Sequence, residues 1–178
     1  MRSDFVEIVQ RMVAISSVGP SAVRGQGKGV QGACHEHLSS LRLERIPATG
    51  GKAYEAWLDR QTEKLLDALS SVLPPANRPW GTARKALNLF MRDALHDKYL
   101  AREYGLDKLE SWLEIPLDRV VAKGLRLPSD RGRLPVWPGL KHLQPAVSVL
   151  YQAKAKEVAV RMGIARVHLD MYLWLANR

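Results

Sequence analysis

Two side chains in the middle of the chain have the types and placement to do chemistry together: Lys85 and Asp118. Lys85 lies in Trp80-Gly81-Thr82-Ala83-Arg84-Lys85-Ala86-Leu87-Asn88, a tight turn that feeds directly into a helix. Asp118 ends Ile115-Pro116-Leu117-Asp118, where Pro116 forces Ile115 into extended geometry and the acid opens the next helix. A lysine amine is a nucleophile for an electron-poor carbon, and a carboxylate stabilises positive charge developing beside it. Each residue also has a plainer reading. An acid after such a segment is most often a helix N-cap, and a lysine early in a helix is an ordinary solvated cation.

Helices must carry the pair to one place, and the apolar periodicity supplies them. Residues 4–17 put Phe5, Ile8, Val9, Met12 and Val13 on one face, and Gly19-Pro20 stops that helix. A short helix is expected over 31–43. From about 53 to 73, Tyr54, Trp57, Leu58, Leu65, Ala68, Leu69 and Val72 form one stripe, ended by Pro74-Pro75. The next helix is expected from Thr82 to about Tyr104, so the compact Pro/Gly connection between the two makes an αα-hairpin. Asp107 reads as the N-cap of a capping box with Glu110, opening a short helix through Trp112. A helix from Gln144 to Met162 is closed by Gly163, and the apolar last helix, Ala165 to Ala176, is expected to be central. No alternating stretch is long enough for a strand. The expected fold class is all-α, one helical domain over residues 1–178, with the hairpin and catalytic segment at about 53–125.

A formal charge of +9 favours polyanionic partners, nucleic acid before acidic membrane. Cys34 is the only cysteine, so a disulfide within the chain is excluded and a reducing, cytoplasmic location is expected. No signal peptide or membrane span is evident, and the chain is expected to act as a monomer. The glycine-rich stretch from Gly19 to Gly32 fails the phosphate-loop pattern, because Ala22 stands where a glycine is needed and no Ser or Thr follows Lys28. It reads as a mobile basic loop. His35 and His37 beside Cys34 lack further ligands at zinc spacing, so neither a metal nor another cofactor is expected. Asp170, near Arg166 and His168 in the last helix, should pair with an arginine or cap something.

In an αα-hairpin, main-chain N–H groups at the turn and the N-terminus of the second helix can hold a phosphate. Gly81 and Thr82 occupy that turn, Gly81 letting the backbone approach closely. Arg78, Arg84, Lys28 and Arg131 of the basic stretch 127–133 are candidates for further DNA-backbone contacts.

Gly81-Thr82-Ala83-Arg84-Lys85-Ala86-Leu87-Asn88 resembles the G-x-G-R-K-x-A-N stretch of the helix-hairpin-helix DNA glycosylases, the superfamily of endonuclease III. Pro116-Leu117-Asp118-Arg119-Val120-Val121 is similar to its P-V-D-x-x-V segment. The hairpin departs from the common L-P-G-V-G, with Ala83 at its second glycine. The Lys-to-Asp interval is wider than in endonuclease III and similar to the archaeal 8-oxoguanine glycosylase branch. Without a four-cysteine loop, an iron–sulfur centre is excluded. The resemblance implies a helix-hairpin-helix bundle that binds double-stranded DNA and excises a modified or damaged base, leaving an abasic site. Asp118 falls on the catalytic aspartate and Lys85 on the nucleophilic lysine of the members that are also β-lyases. The target base must be flipped into a pocket with aromatic walls, for which Trp57, Trp80, Trp112, Trp137 and Tyr151 are candidates. Two other readings stay open: a non-catalytic DNA- or RNA-binding module using the same hairpin, and a helical scaffold whose charge is incidental.

Overall fold

The computed structural model describes residues 4–74, 77–126 and 134–176, and among these every regular element is helical. The chain runs α1 (Asp4–Ser17), α2 (Val30–Ser39), α3 (Gly51–Leu69), α4 (Trp80–His96), α5 (Lys98–Tyr104), α6 (Arg119–Leu125), α7 (Pro145–Met162) and α8 (Leu169–Leu175). Short 3-10 turns join several of them. No helix among the described residues is long and apolar enough to cross a membrane.

The packing is organised around α4. Every residue from Gly81 to Met91 is buried, and the helix touches α1, α2, α3, α5 and α7. With α3 it forms the expected hairpin: Leu58, Leu65 and Leu69 share one apolar cluster with Leu87, Phe90 and Met91. Each such side chain taken out of water contributes on the order of 2 kcal/mol. A second cluster gathers Ile115, Leu117, Val121, Tyr151 and Leu169, and Trp80 packs against both. The segment before Asp118 is therefore anchored to α4 at one end and to α7 at the other.

Several elements differ from the periodicity reading. α1 buries Val6, Gln10, Ala14 and Ser17, while Phe5, Ile8 and Met12 face outward. Small Ala14 and Ser17 suit a close helix crossing, and the Gln10 amide donates to the carbonyls of Leu38, Ser39 and Leu41 where α2 ends. Those carbonyls need a donor, and a polar residue on the inner face supplies it. The expected single helix 82–104 is two, because Asp97 adopts an extended backbone and its carboxylate caps α5 through the amides of Tyr99 and Leu100. Asp107 is not an N-cap: the chain enters a 3-10 turn, Leu106–Leu109, through left-handed Gly105, and Glu110 is drawn to His168. The last helix is peripheral. It starts only at Leu169 after a 3-10 turn, and Met171, Tyr172, Trp174 and Leu175 are exposed.

The start of α4 is sealed. Leu140–His142 forms a short turn packed on it, and a Cβ added to Gly81 would collide with the Leu140 carbonyl oxygen and stand 2.6 Å from Leu143 Cβ. Gly81→Ala gains about 1 kcal/mol of helix propensity but overpacks this contact, so a net loss of roughly 1–2 kcal/mol is expected. Urea unfolding measures it, and an unchanged midpoint would mean that the 140–143 segment yields.

Candidate active site

Lys85 and Asp118 meet. Lys85 is on the second turn of α4 and only 9 % exposed, and its Nζ lies 3.3 Å from Asp118 Oδ2. Asp118 divides its oxygens: Oδ1 accepts the amides of Val120 (2.8 Å) and Val121 (3.0 Å), capping α6, while Oδ2 faces the lysine. Capping and pairing with Lys85 are thus not rival roles, since one carboxylate does both. The approach to Asp118 is fixed from α7. Gln152 Nε2 donates to the Ile115 carbonyl at 2.8 Å, and the Ile115 amide donates to Gln152 Oε1 at 3.2 Å. With Ile115 and Leu117 buried, the carboxylate has little freedom to leave the lysine.

The pair opens into a cleft of about 600 Å³, walled by Leu89, Pro116, Val121, Met171 and Trp174. Arg92 lies farther along the cleft, two turns of α4 beyond Lys85, or about 10 Å along the axis. Its Nη1 donates to Asp170 Oδ2 and its Nε to Asp93 Oδ1 at 2.7 Å. Asp170 therefore has the arginine partner its burial requires, supplied by Arg92. Arg166 instead donates to the carbonyls of Leu113 and Trp112. Burial pushes the Asp170 carboxyl above the usual carboxylate range, and the Arg92 charge offsets only part of that. Asp170 Oδ1 is buried without a hydrogen bond. The cleft thus pairs an amine and a carboxylate at one end with a guanidinium and an unsatisfied carboxylate oxygen at the other. Its apolar wall includes Trp174, which is 47 % exposed and available to stack.

Most of the other expected contacts lie elsewhere. Trp57 and Tyr151 are core residues; the Tyr151 hydroxyl donates to the Pro135 carbonyl and its ring meets Trp137 edge-on. Trp80 is wedged between the two clusters beneath the Arg84 guanidinium, and Trp112 lines a different cleft. None of these rings lines the Lys85 cleft. Gly81 and Thr82 are buried, and the amides of Trp80, Thr82 and Ala83 already donate to the carbonyls of Arg78 and Pro79. A phosphate would find almost no free donor at that helix start. Arg84 is no DNA contact either. It is held by both oxygens of Glu114 (2.8 and 2.9 Å), by Asp59 and by Thr62. Arg78 is exposed but paired with Glu63 and Asp67. Lys28 is exposed, in a loop that is anchored by buried Val18, Val23 and Gln26 and is not the free segment its glycines suggest. Arg131 lies outside the described residues. No group of three or more His, Cys, Asp or Glu among the described residues is arranged to hold a metal.

Arg92 and Trp174 were not singled out by the sequence, although a signal exists for the first. Arg92 follows Lys85 by two helical turns and so shares its face. No protein-family model matches the chain, and neither does any curated protein or solved structure.

Proposed function

We propose that this protein is a DNA N-glycosylase of the helix-hairpin-helix kind, acting on a modified or damaged base flipped into the Lys85–Asp118 cleft. The observation that carries this reading is the 3.3 Å contact between Lys85 and Asp118 inside a cleft with a polar far end. Cleaving an N-glycosidic bond leaves the base with the bonding electrons and positive charge on the sugar, which the Asp118 carboxylate stabilises. In a hydrolytic cycle Asp118 Oδ2 orients the attacking water. In the lyase variant Oδ2 receives a proton from the Lys85 ammonium, and the freed amine bonds to C1′ as the base departs. The resulting aminal then opens to a Schiff base. At the far end Arg92 can donate to a carbonyl or ring nitrogen of the base, and Asp170 Oδ1 can take an N–H. Trp174 offers a stacking face for the flipped ring.

A non-catalytic binding module would account for the +9 charge but not for a lysine and an aspartate converging in a cleft. Both readings predict steep salt dependence of DNA binding, so affinity alone does not separate them. A panel of duplexes, each carrying one modified base, scored for alkali-labile sites does. Formation of abasic sites on one member is the expected result, and none on any member overturns the enzymatic reading. Borohydride added during turnover is expected to trap a covalent adduct that disappears in Lys85→Gln. Base release without an adduct would leave Asp118 working through water.

A further inference from the structure

A second cleft, of about 360 Å³, opens at the start of α3 and shares no lining residue with the Lys85–Asp118 cleft. Helix α3 begins at Gly50-Gly51 with no side-chain cap, although Ser, Thr, Asp or Asn usually fills that role. Gly50 has φ 148, open only to glycine. The lack of a Cβ on Gly51 lets the Trp112 indole lie on the peptide, since a Cβ there would stand 3.3 Å from Trp112 Cδ1. Among the described residues nothing accepts from the amides of Gly51, Lys52 or Ala53. The 19-residue helix thus presents free donors and the positive end of its dipole to the cleft.

Two buried groups on the same cleft are also short of a partner. The Tyr54 side chain is 1 % exposed, yet its hydroxyl makes no hydrogen bond. Burial, followed by the Glu114 charge, pushes its pKa well up, so it is a neutral O–H donor. Arg166 spends its described hydrogen bonds on neutral carbonyls, those of Trp112 (3.0 Å), Leu113 (3.2 Å) and Gln152 (3.5 Å). It has no ion-pair partner among the described residues, because the neighbouring Glu114 is neutralised by Arg84 and bonded by Asn88. Exposed Lys52 and Lys156 stand on the rim and outnumber Glu55 there.

We infer that this cleft is a binding site for a phosphate monoester, held by the α3 amides, Arg166 and the Tyr54 hydroxyl, with Trp112 beside it to take a planar ring. The donor count favours phosphate over carboxylate. Three amides, spare guanidinium N–H groups and a phenol exceed what two carboxylate oxygens accept, whereas a phosphate monoester offers three charged oxygens. The inference does not rest on the glycosylase reading.

The full chain is titrated with inorganic phosphate and with a nucleoside 5′-monophosphate by calorimetry and thermal unfolding, at constant ionic strength. Saturable binding and a rising Tm are expected with both, tighter with the nucleotide if its base lies on Trp112. Tyr54→Phe removes an unsatisfied hydroxyl, so the free protein is expected to be no less stable while phosphate affinity falls roughly tenfold. Asp118→Asn is expected to bind phosphate as the unaltered chain does. Three results overturn the site: no saturation in the millimolar range, unchanged affinity in Tyr54→Phe, or affinity lost in Asp118→Asn, which would place the anion in the other cleft.

Discussion

Asp118→Asn is expected to abolish base release, by about 10³-fold or more, while the protein stays folded and keeps its affinity for DNA. The expectation follows from the division of labour between the two oxygens. Asn is as good an N-cap as Asp, so its side-chain oxygen can still accept the amides of Val120 and Val121 and hold α6. What disappears is the negative charge at Oδ2, 3.3 Å from Lys85 Nζ. With it go the stabilisation of an oxocarbenium ion and the acceptor for the lysine proton. The substitution also raises the net charge by one, which favours a polyanion, so weakened DNA binding is not the expected cause of any loss. Release is measured on whichever duplex the modified-base panel identifies. Undiminished release in Asp118→Asn would sink the catalytic assignment. Loss of release together with loss of helical content would reduce Asp118 to its capping role.

The features legible in the sequence are those set by local chemistry. Pro116 dictates an extended segment, and an acid after it dictates a cap, so Asp118 was readable from a few residues. The hairpin was readable because two long apolar stripes flank a short Pro/Gly connection. Features decided by tertiary packing were not. Arg84 and Lys85 are adjacent basic residues about 100° apart on a helix, and no local rule says which one faces Glu114 and which the cleft. α1 carries apolar side chains on more than one face, and the inward face was chosen by small residues and by the carbonyls that Gln10 satisfies. The aromatic residues were misassigned for a related reason. Ring size makes a tryptophan look like a pocket wall, but core clusters claim large rings first, as with Trp57 and Tyr151. The ring that lines the cleft, Trp174, sits on the short helix whose apolar composition had suggested burial.

Arg84→Ala is expected to destabilise the fold by about 3–5 kcal/mol, because it strands a buried carboxylate. Arg84 is only 5 % exposed, and Glu114 is nearly as enclosed, so their two-pronged contact is little screened. The additional bond to exposed Asp59 contributes little by comparison. Without the guanidinium, Glu114 keeps Asn88 at 3.0 Å as its direct partner. The pH dependence separates this cause from loss of packing. Burial alone would push the Glu114 pKa up, but the hydrogen bonds and charge of Arg84, helped by Arg166 and Asn88, hold it below the ordinary 4.5. In the unaltered chain that stabilisation is fully present above the ordinary carboxylate pKa and is lost as pH falls through the lower folded value. In Arg84→Ala desolvation prevails and the folded pKa moves above the unfolded one. The variant then loses stability as pH rises through that value. The gap between the two proteins in urea unfolding is thus expected to be widest near pH 7 and to narrow near pH 4. Adding Glu114→Gln to Arg84→Ala should recover part of the loss at pH 7, because it removes the stranded charge. A pH-independent gap would assign the loss to packing of the arginine stem. Unchanged stability with weakened DNA binding would return Arg84 to the phosphate-contact role that its position in the hairpin first suggested.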